Sequence, residues 1–317
     1  MTSAQSHAHL PLGTGAEFDA IRAMLGVWGA QATGIGDDAA VLSVPEGEVL
    51  VASTDASFEH VHFRRDWLTP REIGARAAAA ALSDLAAMAA TPVGMLLALG
   101  VPLTWRGELD ALAHGVGEVA ADARCPIVGG NVTRAGELSL TITVLGTSRR
   151  ALERSGARAG DALYVTGALG GAGAALDALL RGATPRDADR ARFAAPRPRI
   201  AEGRWLAEHG AHAAIDVSDG IVADAGHLAA ASGVRLVIDL ASLTCVDGIT
   251  PEGAASSGEE YELLVAFRSD APPDTGEFGA RFGIPLTRVG HVAPGHGVSI
   301  ERGGARVDLP PGHDHLS

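Results

Sequence analysis

The chain alternates strand-like and helix-like segments along its length, and this pattern restricts its fold more than any other feature. Apolar runs such as "VLVAST" (residues 49–54) and "LSLTITVLG" (138–146) predict strands. The Ala-rich segment opened by Pro70 predicts a long helix through residue 90. The alternation resumes after the polar stretch at 147–161, and no repeat of 20–50 residues is visible. The predicted class is therefore mixed α and β.

The length of the chain predicts two domains. At 317 residues and 47% hydrophobic, it can bury more than one core. The polar stretch after Thr147 gives the boundary, so the predicted domains are residues 1–147 and 148–317. The apolar segment 75–102 resembles a membrane span, but Arg76, Asp84 and Pro92 interrupt it. We expect a buried helix followed by a strand there.

The charge composition excludes several functions. The formal net charge of −13 has the wrong sign for a nucleic-acid footprint or an anionic membrane surface. The sequence contains no lysine, so all 25 basic residues are arginines. This excludes a GxxxxGK[ST] P-loop, a kinase-type strand lysine and a lysine Schiff base. Any phosphate must be neutralised by arginine, helix N-termini, backbone amides or metal ions.

The cysteines and the first residues predict a cytoplasmic location. Cys125 and Cys245 lie far apart and form no metal-spaced or redox pair, as is typical of a reduced intracellular protein. The first 18 residues lack the basic start and apolar run of a signal peptide.

Acidic residues recur beside small residues at the ends of predicted elements. They are Asp37, Asp38, Asp55, Asp84, Asp216, Asp219, Glu259 and Glu260. Each has an ordinary interpretation alone, since an Asp before a helix is commonly an N-cap and "GDD" is common in turns. Together they suit Mg²⁺, which prefers oxygen ligands. Asp84 falls close to the buried stripe of its helix and therefore needs a partner.

The order and spacing of these motifs resemble the thiamine-monophosphate kinases of the aminoimidazole-ribonucleotide synthetase-like superfamily. The matching pieces span residues 34–267 and are "GIGDDAAVL", "STDASFEHVHF", "ALSDLAAMAATP", "VGGNVTR", "RSGARAGDALYVTG", "RPRIAEG", "IDVSDGIVADAGHLAAASGV" and "SGEEYELL". The resemblance implies an N-terminal α/β domain that forms a barrel in a homodimer, and a C-terminal α+β domain. It also implies that ATP and Mg²⁺ convert thiamine monophosphate to thiamine diphosphate.

The resemblance also implies roles for individual residues. The metal positions are Asp38, Ser53, Thr54, Asp55, Asp84, Asn131, Asp216 and Asp219. The nucleotide contacts are Gly130, Asn131, Arg154 and Ser218. The substrate contacts are His62, Glu259 and Leu316. The candidate catalytic residues among them are Asp84, Asp219 and Arg154.

The chain departs from the family pattern at three places. Asn131 stands where the family usually has Asp, and its amide offers an oxygen ligand without a charge. "SGEE" at 257–260 replaces a Gly-Gly-Glu-Asp pattern, and Leu316 replaces an aromatic residue. Two alternatives therefore stay open: a diverged paralogue acting on another small metabolite, and a non-catalytic nucleotide-binding protein of the same fold.

Two further features are local. Neighbouring residues of an extended chain point to opposite sides, so Asp37 is expected to orient the turn or a metal-bound water, while the resemblance assigns Asp38 directly to metal. The Gly-rich turn "ALGGAGAALDALL" (168–180) resembles a phosphate-binding loop, but it lacks the acidic residue expected on a following strand.

Overall fold

The computed structural model describes residues 9–309, and the chain divides into two compact units. The first comprises the described residues up to Leu85 together with Thr91–Arg149. The second comprises Ala86–Ala90 and the described residues from Arg150 onward. The sequence prediction placed one boundary at 147/148 and did not assign residues 86–90 to the second part of the chain.

The first unit contains a four-stranded sheet with helices. Its helices are α1 (Ala16–Trp28), α2 (Pro70–Ala87, whose last two residues count with the second unit) and α3 (Leu109–Asp122). Its strands are β1 (Val49–Phe58), β2 (Thr91–Val101), β3 (Ile127–Arg134) and β4 (Ser139–Ser148). The sheet order is β1-β4-β2-β3, in which only the β2–β3 pair is parallel. β1 and β3 are therefore the edge strands.

Close backbone contacts pack the helices of the first unit. A Cβ atom at Gly74 of α2 would lie 2.2 Å from the Leu112 carbonyl oxygen, and one at Gly115 of α3 would lie 1.9 Å from the Arg71 carbonyl oxygen. These two positions require glycine because α2 and α3 touch through their backbones. Trp28 of α1 donates its indole N–H to the Ala113 carbonyl at 2.8 Å.

The predicted helix and strand over residues 75–102 are confirmed as α2 and β2. Ala81, Leu82 and Leu85 of α2 are fully buried, which explains the apolar composition of this segment without a lipid environment. Within residues 9–309, no helix is both long and apolar enough to cross a membrane.

The second unit contains a seven-stranded mixed sheet. Its strands are β5 (Asp161–Thr166), β6 (Ala213–Val217), β7 (Arg235–Asp239), β8 (Glu262–Arg268), β9 (Leu286–Ala293), β10 (Gly297–Arg302) and β11 (Ala305–Arg306). Its helices are α4 (Gly171–Leu180), α5 (Asp187–Ala194), α6 (Ile200–Glu208), α7 (Ile221–Ser232), α8 (Pro251–Ala255) and α9 (Thr275–Phe282). The strand order is β11-β10-β7-β9-β5-β8-β6.

Apolar clusters cover both faces of this sheet. Leu163 and Val165 of β5 belong to one cluster, whereas Ala162 and Tyr164 belong to the other. The alternation follows the pleat of the strand and explains why every residue of β5 is buried. Because both faces of the sheet are covered by apolar side chains, we expect polar functional residues of this unit at the strand ends and in the loops.

Several elements differ from the sequence prediction. The polar, Pro-rich stretch 181–199 shows no helical pattern in its sequence, yet α5 forms within it and buries Phe193. Arg186 precedes this helix and donates to the buried Asp189 at 2.6 and 2.9 Å. Tertiary contacts therefore override a composition typical of a linker. Strands β10 and β11 were not predicted.

Candidate functional site

Strand β1 and helix α2 bring together two of the predicted metal positions. The hydroxyl of Ser53 donates to Oδ2 of Asp84 at 2.5 Å. Asp84 is half-buried near the end of the Ala-rich helix, so the partner expected for this carboxylate is confirmed. A charged acceptor makes this hydrogen bond stronger than a neutral one.

The side chains of Thr54 and Asp55 point to opposite faces of β1 because successive residues of a strand alternate. The Thr54 hydroxyl lies 3.0 Å from that of Thr143 on β4. Oδ1 of Asp55 accepts the Ala56 amide at 2.7 Å. Asp55 therefore shares the Ser53 face, and the Thr54 side chain does not.

The turn at residues 34–38 presents Asp38 to solvent. The Asp38 amide donates to Oδ1 of Asp37 at 2.9 Å, and Asp38 itself is exposed. The Asp37 carboxylate therefore accepts a hydrogen bond within the turn, as an orienting role requires. The other expected role, orienting a metal-bound water, stays a prediction.

Strand β3 carries Gly130 and Asn131 at the other edge of the sheet. A Cβ atom at Gly130 would lie 2.0 Å from the Leu97 carbonyl oxygen, so the close approach of β2 requires glycine here. Strands β4 and β2 lie between β3 and β1, so the two edge strands are roughly 14 Å apart at about 4.8 Å per strand spacing. The pairings through Ala98 and Thr141 set Asn131 level with Ala56, so Ser53 lies farther away than this lateral distance. A single copy of this sheet does not bring Asn131 to Ser53 or Asp55.

His62 lies in the turn that follows β1. Its Nδ1 accepts the Phe58 amide at 3.1 Å. The neighbouring Glu59 is buried and accepts the Trp105 indole N–H at 2.9 Å and the Leu138 amide at 3.2 Å. Glu59 therefore fixes this turn, a role that the sequence did not indicate.

In the second unit, Asp216 lies near the end of β6, and the loop between β6 and α7 carries Ser218 and Asp219. Asp219 does not cap the helix, since the N-cap residue of α7 is Gly220 and no side chain caps it. The Ser218 and Asp219 amides instead donate to Oδ2 of Asp224, at 3.0 and 3.1 Å. The N-cap interpretation of Asp219 is therefore wrong.

Asp224, in the first turn of α7, binds this loop and was missed by the sequence analysis. It is 2% exposed. Burial raises its pKa to about 8, and the neighbouring carboxylates of Asp216 and Asp219 act in the same direction. The signal that could have found it is its spacing, since an Asp in the first turn of a helix can reach back to the amides of the preceding loop.

Glu259 lies against the same loop. Its amide donates to the Ser218 carbonyl at 2.7 Å, and its Oε2 accepts the Tyr261 hydroxyl at 2.6 Å. Both Glu259 (φ 65°) and Tyr261 (φ 52°) have left-handed backbone conformations. Non-glycine residues in this region are strained and are frequent at functional sites.

Arg154 begins a short 3₁₀ helix, Arg154–Gly156. Its carbonyl accepts the Ser232 hydroxyl at 2.6 Å, and its side chain is exposed. Within the described part of the chain, its guanidinium forms no ion pair, which leaves its donors for a ligand. Leu316, the third predicted substrate contact, lies outside the described residues.

The carboxylates do not form a ready-made metal cage. Across residues 9–309, no group of three or more His, Cys, Asp or Glu side chains has the spacing to hold a metal ion.

Comparisons with known proteins match both parts of the chain. Residues 36–148 match the AIR synthase related protein N-terminal domain, and residues 158–303 match the corresponding C-terminal domain. Thiamine-monophosphate kinase of Escherichia coli (strain K12) is 37% identical over 301 residues, which cover 90% of this chain and 92% of that protein.

Solved structures agree with these matches. The crystal structure of thiamine-monophosphate kinase from Stenotrophomonas maltophilia K279a is 35% identical, with a TM-score of 0.81, over 95% of this chain and 100% of that one. A structure of AaThiL complexed with AMPPCP and TMP is 29% identical, with a TM-score of 0.75, over 93% of this chain and 96% of that one. The chain therefore belongs to the thiamine-monophosphate kinase family of AIR synthase related proteins.

Proposed function

We propose that this protein transfers the γ-phosphoryl group of ATP to thiamine monophosphate, giving ADP and thiamine diphosphate. The observation that carries the proposal is the similarity over 93% of the chain to AaThiL complexed with AMPPCP and TMP. AMPPCP is an ATP analogue, so that complex pairs a nucleotide with the acceptor in one protein. The 37% identity to the E. coli enzyme supports the same activity.

The chemistry needs charge neutralisation and alignment, not a catalytic base. The nucleophile is a phosphate oxygen of the acceptor, which is already ionised at neutral pH. The protein must hold two anions in line and balance the charge on the transferring group. The Arg154 guanidinium supplies a bidentate phosphate donor, and its lack of a described ion pair suits that use.

The residues present fit Mg²⁺ by their chemistry. The predicted positions offer only carboxylate, hydroxyl and amide oxygens, the donors that this ion prefers. Asp216 and Asp219 lie close enough to Asp224 to raise its pKa, and a cation would offset that repulsion. Bound Mg²⁺ supplies Lewis-acid stabilisation of the phosphates.

We assign the individual roles as follows. The proposed metal ligands of the first unit are Asp38, Ser53, Thr54, Asp55, Asp84 and Asn131, and those of the second unit are Asp216 and Asp219. Gly130, Asn131, Arg154 and Ser218 contact the nucleotide, and His62, Glu259 and Leu316 contact the substrate. Asp84, Asp219 and Arg154 are the proposed catalytic residues. Since the Thr54 side chain points away from the Ser53 face of β1, only the main chain of Thr54 can ligate a metal ion on that face.

We also propose a cytoplasmic homodimer formed through the sheet of the first unit. Val49, Leu50 and Phe58 on the edge strand β1 are exposed large apolar residues, as is typical of an interface. Pairing of β3 of one copy with β1 of a second copy would also bring Asn131 of the first copy closer to the Ser53 face of the second. Both described cysteines are free thiols, which supports the cytoplasmic location.

Product analysis tests the proposed reaction. The protein is incubated with ATP, Mg²⁺ and thiamine monophosphate, and the thiamine phosphates are separated by chromatography. Thiamine diphosphate formation supports the proposal. ATP turnover only with another acceptor selects the diverged paralogue, and ATP binding without turnover selects the non-catalytic protein. Asn131 is the specific departure that makes these alternatives worth testing.

A further inference from the structure

The Gly-rich turn before α4 looks like a phosphate-binding loop, but its amides are occupied from within the protein. The amides of Gly170 and Ala172 donate to Oε1 of Glu260, at 2.8 and 3.1 Å. The Gly173 amide donates to the Ser257 hydroxyl at 2.9 Å. The positive end of a helix dipole favours such a carboxylate.

The turn is also closed sterically. A Cβ atom at Gly171 would lie 2.5 Å from Cδ of Arg192, and one at Gly173 would lie 2.9 Å from Cα of Ser257. Gly170 has a φ of 106°, a conformation that suits glycine. Gly173 therefore lets Ser257 approach the helix, and Gly171 lets Arg192 approach it. These neighbours and Glu260 occupy the space in which a phosphate would meet the amides.

Glu260 is sealed inside the second unit. Its side chain is 1% exposed, and its Oε1 also accepts the Ser257 hydroxyl at 2.5 Å. Its Oε2 is buried without a hydrogen-bond partner among the described residues, and Nη1 of Arg192 lies 3.8 Å away. A carboxylate buried in this way is costly, so its hydrogen bonds to the turn must hold it in place.

The segment that Glu260 anchors is the one that carries Glu259. The other side of this segment bonds the end of β6 and the loop that follows it. The Glu259 amide donates to the Ser218 carbonyl, and the Tyr261 amide donates to the Val217 carbonyl at 2.8 Å. Glu259 and Tyr261 both have positive φ angles. Such backbone strain persists only where the surroundings impose it, and Glu260 supplies the contacts on the helix side.

We infer that Glu260 is a positioning residue: its hydrogen bonds to the Gly-rich turn fix the direction in which Glu259 meets the substrate. This inference rests on the proposed function, in which Glu259 contacts thiamine monophosphate. Glu260 itself touches no substrate. Its carboxylate occupies the amides at the N-terminus of α4 that a ligand phosphate could otherwise bind. The Gly-rich turn therefore supports Glu259 at the acceptor substrate and contacts no phosphate itself.

The test compares Glu260→Ala with Glu260→Gln. Removing the carboxyl group should raise KM for thiamine monophosphate about tenfold while kcat and KM for ATP change less than about threefold. Glutamine retains an oxygen that accepts the same two amides, so it should restore KM to within about threefold of the wild type. If Glu260→Ala does not fold, Ser257→Ala, which removes the hydroxyl that bonds both Oε1 of Glu260 and the Gly173 amide, should show the raised KM.

Glu262→Gln is the matched control. Glu262, the first residue of β8, is also a buried carboxylate and lies two residues after Glu260, but its partners are Arg199 and Thr166. Its loss should lower the thermal midpoint and leave KM for thiamine monophosphate within about twofold.

Amide hydrogen exchange over residues 168–175 tests the anchor without any turnover. Exchange should accelerate in Glu260→Ala and stay slow in Glu262→Gln. An unchanged KM in Glu260→Ala, or a Glu260→Gln variant as impaired as the alanine one, would overturn the inference. A wild-type protein that forms no thiamine diphosphate would instead count against the proposed function.

Discussion

The two units hold their candidate residues by different means. In the first unit, Ser53 and Asp84 lie on a regular strand and a regular helix and bond side chain to side chain. In the second unit, Ser218 and Asp219 lie in a loop whose amides donate to the buried carboxylate of Asp224. Glu259 is adjacent to the buried Glu260, whose carboxylate accepts the amides of the Gly-rich turn. A loop lacks the regular backbone hydrogen bonds of a helix or sheet, so its buried amides need a side-chain acceptor from another part of the fold.

Because of this difference, we expect substitutions of candidate residues in the first unit to change activity, and substitutions of the internal acceptors in the second unit to change stability. The first unit should keep its fold when a candidate carboxylate is neutralised, because strand pairing and α2 packing do not depend on it. The second unit should lose stability when an internal acceptor is removed, because buried amides are then left unpaired. The predictions below test that distinction, beginning with the largest expected effect.

The largest effect is expected for Asp84→Asn. The amide can still accept the Ser53 hydroxyl, so the thermal midpoint should stay close to that of the wild type, while kcat should fall by about 10²–10³-fold because the charge is lost. Steady-state kinetics and calorimetry measure the two quantities. Asp110→Asn, an exposed position on α3, is the control and should retain full activity. An unchanged rate in Asp84→Asn would remove Asp84 from the mechanism.

Asp224→Ala should destabilise the second unit. The variant leaves the Ser218 and Asp219 amides without their acceptor and should lower the free energy of unfolding by ~1–3 kcal/mol. Urea denaturation measures this loss. A variant as stable as the wild type would contradict the role given to Asp224 and would weaken the contrast between the units.

Glu260 should make stability depend on pH. Burial raises the pKa of Glu260, and the hydrogen bonds from Ser257 and Gly170 oppose this shift. A raised pKa in the folded state contributes stability below the unfolded value, and the contribution is lost as pH rises through the folded value. The wild type should therefore lose unfolding free energy relative to Glu260→Gln from about pH 4.3 upward. Urea unfolding across that range measures the difference, and parallel profiles would contradict it.

The smallest effect is expected for Asn131→Asp. A carboxylate at this position adds a charged oxygen ligand and should lower the Mg²⁺ concentration for half-maximal rate by about three- to tenfold. The fold should not change, because Asn131 is exposed on the edge strand β3. A titration of the rate with Mg²⁺ that matches the wild type would show that this position does not ligate metal.

The sequence predicted those features whose causes are local. The buried stripe of α2 requires a partner for Asp84, and this partner is Ser53. Asp37 accepts the amide of its neighbour Asp38, a contact between adjacent residues. The internal acceptors were not predicted. Glu260 reaches amides 88 and 90 residues away, and no spacing in the sequence indicates such a contact.

Other differences have the same origin. The stretch around α5 shows no helical pattern, but the Arg186–Asp189 pair and the burial of Phe193 accompany a helix there. The separation of Asn131 from Ser53 follows from the strand order, which pairing partners decide and which the residue pattern alone does not specify.

The most direct test of the account follows the phosphoryl group itself. The protein is supplied with Mg²⁺, thiamine monophosphate and ATP labelled at the γ-phosphate, and the label is traced in the separated products. We expect the label in the terminal phosphate of thiamine diphosphate, with one ADP formed for each product molecule. Label found only in ATP and inorganic phosphate would contradict the assignment of this protein as a thiamine-monophosphate kinase.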